Sequence, residues 1–423
     1  MTYDVAAIRG QFPGLKRVQN GEPAVFFDNP AGTQMARQAI DRMVWAMTEC
    51  NANLGGHFET SILAEKLVDD AHEAAKDFVN AKDVREIVFG QNMTTLTFMM
   101  SRSLGRDFKP GDEIVVTRMD HDGNVTPWVI MAEERGLTLK YLDFSPETFE
   151  FDLTRLGDVI TERTRLVAVG YASNVTGTIN NVKAIAKAAK VASGGKALIY
   201  VDAVQFAPHG VIDVQDIGCD FLVCSAYKFY GPHYGLLWGR QELLEKLTAY
   251  KVRAATMDLP SKFVTGTTNR EELAGIMGAV EYYEWLGKTY GGATDPALTR
   301  RQRIVAGVEA MLRHDLALAE RLITGLQQIP GVRIMGITDR AQFSRRVPTV
   351  SFILPDCDPA EIAKYMGNQG IYVWDGHNYG VEPVTRLGLI DKGGVVRVGP
   401  THYNTPAEID RFLGALKVYL QQR

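Results

Sequence analysis

The chain has 423 residues, 46% hydrophobic and 23% charged, with a net charge of −4. That is the composition of a soluble globular protein long enough for two domains. It has no basic run, and no apolar stretch approaches the roughly 18 residues of a membrane span, so nucleic-acid and membrane partners are not expected. The N-terminal stretch MTYDVAAIRGQFPGL carries Asp4 and no apolar signal core. The four cysteines (Cys50, Cys219, Cys224 and Cys357) show no metal-ligand spacing. Reduced packing cysteines in a cytoplasmic protein with no metal site are the expectation.

From about residue 60 to 245, short apolar runs alternate with helical patterns. Glu86–Phe89 (EIVF) predicts a strand and Met93–Ser103 a helix. Glu113–Thr117 (EIVVT), after the turn Lys109-Pro110-Gly111-Asp112, predicts the next strand, followed by a helix over Pro127–Arg135 and a strand over Thr138–Leu142. Arg165–Tyr171, Ala197–Val201 and Phe221–Cys224 continue the strands, with a helix over Val182–Ala192. Near-continuous apolar strands between helices argue for a mostly parallel sheet covered on both faces, an α/β fold. Such sheets bind ligands at the carboxyl ends of their strands. After about residue 295 the pattern changes. A long amphipathic helix over 303–327 precedes the runs VRIMGI, TVSFIL, IYVW and VVRVGP, each read as a strand, and a terminal helix over Pro406–Leu420. This is a smaller α+β domain, with a boundary near the Gly-Gly-Ala-Thr-Asp-Pro stretch at 291–296.

The residues that follow the strands carry the chemistry. Gly90-Gln91-Asn92-Met93-Thr94-Thr95 leads into a helix, and a helix N-terminus with threonine hydroxyls suits a phosphate. Simple N-capping by Asn92 or Thr94 is the competing reading. His121 lies between Asp120 and Asp122 after the second strand; alone, it reads as a surface loop. Later strand ends bring Asn174, then Asp202 with Gln205 three residues on, then Ser225 and Lys228. One ligand uses all of these groups: pyridoxal 5′-phosphate (PLP). An acid keeps its ring nitrogen protonated, a lysine forms a Schiff base with its aldehyde, and donors at a helix N-terminus take its phosphate. Asp202, Lys228 and Gly90–Thr95 supply those three parts from separate strand ends.

The same stretches resemble the class V aminotransferase-like PLP enzymes of fold type I, and among them the cysteine desulfurase-like branch. The resemblance runs through FFDNPAGTQ, GDEIVVTRMDHDGNVTPW, SNVTGTIN, VDAVQFAPHGVIDVQDIGCDFLVCSAYKFYGP, GTTN and VRVGPTHYNTPAEIDRF. It implies a large domain with a mostly parallel seven-stranded sheet and a smaller C-terminal α+β domain. The expected division is an N-terminal arm over 1–20 packing with the small domain, a large PLP-binding domain over 21–290 and a small domain over 291–423. It also implies roles. Lys228 carries the cofactor, Asp202 pairs with the pyridine nitrogen, and His121 stacks on the ring. Gln205 and Asn174 bind the ring hydroxyl. Thr94, Thr95 and Ser225 hold the phosphate, with Thr267 reaching the cofactor of a second subunit in a homodimer. Arg397 clamps the carboxylate of a small amino-acid substrate.

Two positions depart from that resemblance. Tyr227 stands where relatives have a histidine before the lysine, and a phenol can still donate to phosphate. Tyr379, in YVWDGHNYGVEP, stands where desulfurases place the catalytic cysteine, and Trp374 replaces an expected arginine. No cysteine follows Cys357. Without a thiolate the persulfide route has no nucleophile. The expectation is therefore a β-eliminating C–S lyase acting on an L-amino acid, with His377, Tyr379 and Asp375 as substrate-loop candidates. A class V aminotransferase, an amino-acid epimerase and a non-enzymatic PLP-holding regulatory protein are the alternatives. A nicotinamide dehydrogenase or serine hydrolase is disfavoured, since neither G-x-G-x-x-G after a strand nor G-x-S-x-G occurs.

Overall fold

The computed structural model describes residues 3–422. Its main sheet has seven strands: β1 (Ile87–Gly90), β2 (Glu113–Thr117), β3 (Thr138–Leu142), β4 (Thr164–Gly170), β5 (Leu198–Asp202), β6 (Phe221–Ser225) and β7 (Gly235–Gly239). Their spatial order is β1-β7-β6-β5-β4-β2-β3. Strands β2 to β6 pair in parallel, whereas β7 runs antiparallel to both β1 and β6. The sequence reading located six of these strands within one or two residues and missed β7.

Side-chain alternation explains why the strands read as continuous apolar runs. Val115, Val167, Val169, Ile199, Val201 and Leu222 point to one core. Their neighbours Ile114, Val116, Leu166, Ala168, Tyr200 and Val223 point to the other. With a two-residue period, both faces are buried only if every residue is apolar. One face packs on helices α1 (Glu59–Val79), α3 (Val182–Ala192 in sequence) and α4 (Arg270–Thr289). The other packs on α2 (Met93–Gly105), through Met93, Leu96, Met100 and Leu104, and on Thr126–Arg135, through Trp128 and Met131.

Beyond the 291–296 loop, α5 (Arg300–Gln327) starts with a capping box in which Thr299 and Gln302 satisfy each other's backbone N–H groups. Its first half, with Ile304, Val308 and Met311, joins the large core. Its second half, with Leu318, Leu322 and Leu326, joins a separate core with Phe352, Val396 and Phe412. One helix thus spans both cores. The second core lies on a four-stranded antiparallel sheet of β8 (Arg333–Met335), β9 (Val350–Ile353), β10 (Trp374–Gly376) and β11 (Val395–Val398), in the order β8-β9-β11-β10. Helices α6 (Pro359–Asn368) and α7 (Pro406–Gln421) complete it.

The run IYVW, read as one strand, is divided. Ile371–Tyr372 pairs in parallel with Val25–Phe26, while Trp374 begins β10 against β11. The N-terminal segment lies along the C-terminal part of the chain. Arg9 Nη1 donates to the Tyr403 carbonyl at 2.9 Å, and Gln19 Nε2 to that of Gly367 at 2.8 Å. Val25 and Phe27 are buried in the smaller core.

Candidate active site

The carboxyl ends of the parallel strands open onto a cavity of about 650 Å³. Asp202 is the last residue of β5 and Ser225 the last of β6, with Lys228 one short turn further on. His121 follows β2 by four residues, and α2 begins three residues after β1. Asp202, Ser225, Lys228 and His121 all line the cavity, together with Asn174, Gln205, Thr94 and Thr95. The sheet therefore gathers residues spread over more than 130 positions into one site.

Burial sets the charge states on the cavity floor. It pushes the Lys228 ammonium down to about 7, the Arg397 charge adds to the drop, and Asp202 and Asp28 oppose it. Lys228 Nζ donates to the Pro30 carbonyl and lies 4.9 Å from the centre of the Tyr227 ring. The Asp202 carboxyl is raised to about 6 by burial, against a hydrogen bond from Val204 N (2.8 Å) and the Lys228 charge. His121 is lowered to about 3, mainly by burial and then by Lys228 and Arg397, so its ring is neutral at physiological pH. Its Nδ1 accepts from Gly123 N at 3.0 Å. Gly123 sits where only glycine fits: a Cβ there would lie 2.8 Å from Thr94 Oγ1 and 3.1 Å from His121 Nδ1.

At the α2 end, Ser225 Oγ accepts from Met93 N at 2.9 Å, leaving its O–H free to donate into the cavity. Asn92 caps the helix, with Oδ1 accepting from Thr95 N (2.8 Å) and Thr95 Oγ1 (3.0 Å). The capping expected for Asn92 is present, and it commits the Thr95 hydroxyl, while the Ser225 and Thr94 hydroxyls remain at the cavity end of the helix. Tyr227 stacks on His233 (centroids 4.9 Å apart, planes at 17°), and both line the cavity. Thr267 is exposed and does not line this cavity. It lines an adjoining one of about 940 Å³ that shares Gln91, Asn92, Thr95 and His233 with it.

Arg397, on β11, is buried, and burial lowers it to about 10, so it stays charged. Nη1 donates to the Asn174 carbonyl at 3.1 Å, while Nε has no partner. The loop after β10 closes over the rim. Asp122 N donates to the Tyr379 carbonyl at 2.7 Å, and Asn174 Nδ2 to that of Asn378 at 2.7 Å. Asn378 and Tyr379 both have φ in the left-handed region, 53° and 57°. Such strain in a bulky residue persists where its surroundings enforce it. The Tyr379 ring lies parallel to His121 at 5.6 Å, yet is 68% exposed. His377 meets it edge-on, and its Nδ1 accepts from Tyr379 N. Trp374 and Asp375 lie on β10.

Two features escaped the sequence reading. Asp120 lines the cavity and is raised to about 8 by burial and by Asp202, while Thr117 (2.5 Å) and Asn124 (3.2 Å) donate to it. The only signal for it is its place beside His121. His233 precedes β7, and the antiparallel course of that strand brings it to the same end of the sheet as Ser225.

The cavity tests well against PLP. Buried amide ends without partners, one from Asn174 and one from Gln205, face a site that also holds a buried acid, a neutral imidazole and a lysine. Buried polar atoms are normally satisfied, so such atoms mark where a polar ligand completes the bonding. The sheet order and the small antiparallel layer are those of fold type I PLP-dependent enzymes. The family model described as Aminotransferase class-V matches residues 25–412. The chain belongs to the class V aminotransferase family and is a PLP-dependent enzyme. It is 30% identical over 432 residues to a cysteine desulfurase of Serratia proteamaculans, covering 99% of this chain and 98% of that protein. It is 32% identical over 436 residues to an aminotransferase-like protein of Gibberella zeae, covering 99% of each. Among solved structures it is similar to the apo cysteine desulfurase of Thermococcus onnurineus NA1, with a TM-score of 0.86, 25% identity and coverage of 99% of this chain and 98% of that one.

Proposed function

We propose that the chain is a β-eliminating C–S lyase acting on a small sulfur-containing L-amino acid such as cysteine, without a protein persulfide. The observation that carries this reading is the rim loop. It presents the phenol of Tyr379, and no cysteine lines the cavity among the described residues. Cys50, Cys219 and Cys224 are buried, and Cys357 lies in the turn between β9 and α6. Four unpaired cysteines also suit a reducing cytoplasm.

PLP supplies an electron sink that labilises bonds at the substrate α-carbon. The chain's residues do the rest. Lys228, with its amine held near 7, attaches the cofactor and then removes the α-proton. Asp202 is ionised at neutral pH and holds the ring nitrogen protonated. His121, neutral at physiological pH, would lie against the cofactor ring without adding charge. Arg397 takes the substrate carboxylate, and its unpartnered Nε is a free donor for it. Thr94, Ser225 and the first turn of α2 would hold the phosphate, while Thr95, whose amide and hydroxyl both donate to Asn92, steadies that helix end. Tyr379 protonates the departing sulfur, and His377 and Asp375 contact the substrate from the rim. The Cα–H and Cβ–S bonds break, sulfur leaves as sulfide, and hydrolysis gives pyruvate and ammonia.

In the same reading the chain is a homodimer, and Thr267 reaches the cofactor of a second copy. Its exposed position beside Gln91, Asn92 and Thr95 supports that placement. A monomer by sedimentation that retains full PLP affinity would contradict it.

Product analysis tests the lyase reading. PLP-loaded protein given L-cysteine is expected to release sulfide, pyruvate and ammonia in equal amounts. Alanine with stoichiometric protein persulfide would overturn the reading. A 2-keto acid formed only with an amino acceptor, or the D-enantiomer, would assign the chain to aminotransfer or epimerisation instead. PLP binding with no turnover of any amino acid would leave a regulatory role.

A further inference from the structure

We propose that Thr349 is a positioning residue that sets which end of the Gln205 amide faces the cofactor. This deepens the PLP reading and rests on it.

The argument begins with two amides. Asn174 Nδ2 lies 2.7 Å from the backbone carbonyl of Asn378. A carbonyl only accepts, so this end must be the NH₂ group and Asn174 Oδ1 must face inward. Gln205 is different. Its amide nitrogen lies 3.0 Å from Thr349 Oγ1, and its Oε1 is buried with no partner. A hydroxyl both donates and accepts, so this contact is compatible with either end of the amide. With nitrogen against Thr349, Gln205 Oε1 is left unsatisfied, and the Thr349 hydroxyl hydrogen finds no acceptor among the described residues. Turning the amide over solves both problems. Thr349 then donates to Gln205 Oε1, and the NH₂ group turns into the cavity. Amide orientation is assigned from such networks, and satisfaction of buried atoms decides it.

Turned this way, the cavity offers an acceptor from Asn174 beside a donor from Gln205. That pair complements a hydroxyl, which donates to the first and accepts from the second. The ring hydroxyl of PLP would fit there in its neutral form, and on ionising it would lose the bond to Asn174 and keep the Gln205 donor, which favours the ionised oxygen.

Thr349 is held in place for this task. Arg346 is fully buried and forms no ion pair with a carboxylate among the described residues. It donates instead to the carbonyls of Ile337, Val347 (3.2 Å) and Thr349 (2.6 Å), which fixes the turn before β9. Val347 N donates to the Gly177 carbonyl at 2.9 Å. At Gly177, with φ +73°, a Cβ would come within 2.4 Å of the Thr349 carbonyl oxygen. The turn thus packs against the 173–178 loop that carries Asn174, so both amides are set from one junction.

The test reads the bound cofactor rather than turnover. In Thr349→Val, the Gln205 donor loses its director. The pH midpoint of the bound cofactor's visible absorption change is expected to rise by about one unit, the effect of losing one hydrogen bond to an anionic oxygen. Thr349→Ser, which keeps the hydroxyl, is expected to restore the midpoint. In a Gln205→Leu background, Thr349→Val should add nothing, which separates orientation from packing. If the valine variant does not fold, Thr349→Ala carries the same comparison. An unchanged midpoint in the hydroxyl-free variant, or an equal shift in the Gln205→Leu background, would overturn the proposal while leaving the PLP reading intact. A wild-type chain with no visible band and no pyridoxyl group on Lys228 would remove both.

Discussion

The floor of the cavity and the loop at its rim sit a few ångströms apart and are held by different amounts of structure. The floor residues Asp202, Ser225 and Lys228 close strands or follow them directly in a sheet buried on both faces, and all three are buried. The rim residues Asn378 and Tyr379 hang from a short loop in left-handed conformations, pinned by two hydrogen bonds to the floor. Burial moves the charge states of the floor, with Lys228 at about 7 and His121 at about 3. In the proposed reading the floor fixes which cofactor works here, and the rim selects what happens to the substrate. A rim can change its chemistry by one residue without disturbing the sheet.

The strongest way to break this comparison is at the floor. Lys228→Ala is expected to abolish covalent attachment of PLP and reduce turnover by roughly 10⁴-fold or more, as for a residue that is both attachment point and base. Borohydride reduction of the wild-type chain and peptide mass mapping should find the pyridoxyl group on Lys228. Finding it on another lysine would mean that the floor does not hold the cofactor as described. The apo form of the variant is expected to be more stable than the apo wild-type chain, since it no longer buries an amine whose charged form is disfavoured. This gain is largest below about pH 7, where the wild-type chain must bury the charge, and fades as pH rises towards 10.5. Denaturant melts at pH 6.5 and 9.5 measure it.

At the rim the expected effect is smaller and differently distributed. Tyr379→Phe should slow sulfide release by about 10²–10⁴-fold if the hydroxyl protonates the leaving sulfur. PLP affinity should stay unchanged, because the phenol belongs to the rim alone. Unaltered turnover would make Tyr379 a mere packing ring over His121.

The same division governed what the sequence made legible. Floor residues lie at fixed offsets from apolar runs, so Lys228 and Asp202 stood out from local pattern, whereas the roles of His121 and Ser225 came only with the family resemblance. The two-sided core made those strands continuous and easy to read. Strand β7 was missed because GLLWG is a short apolar run whose antiparallel direction depends on β1 and β6, not on its own residues. His233 was missed with it. The run at 371–374 was read as one strand because its two partners, Val25–Phe26 and β11, are far away in sequence. Thr349 and Arg346 form no motif: their role exists only once the turn before β9 meets Gln205.

A milder probe sharpens the floor side through pH. The Lys228 amine must be neutral to attack the aldehyde of PLP. With that group held at about 7, the rate at which apo protein takes up PLP covalently should rise about tenfold per pH unit below 7 and level off above it. Stopped-flow absorbance from pH 5.5 to 9 shows the break. A rate still climbing past pH 9 would place the lysine near its ordinary value and deny the effect of burial.

The smallest expected effect is at Ser225, and it tests how the floor shares its load. Ser225 Oγ accepts from Met93 N, so its own proton is free to donate to the phosphate. Ser225→Ala removes that donor but also releases the Met93 N–H at the start of α2, where a backbone amide and the helix dipole favour an anion. The two changes oppose each other. The net loss should be that of a single partly compensated hydrogen bond, about 0.5–1.5 kcal/mol, or roughly two- to tenfold in PLP affinity. At saturating PLP, turnover should match the wild-type chain. Fluorescence titration of apo protein gives the affinity, and the same stocks give the rate. A loss above a hundredfold would show that the helix end cannot take over the phosphate and that the hydroxyl alone carries it. A changed rate at saturation would mean that the phosphate grip also sets where the ring lies against Lys228, tying the two ends of the floor together.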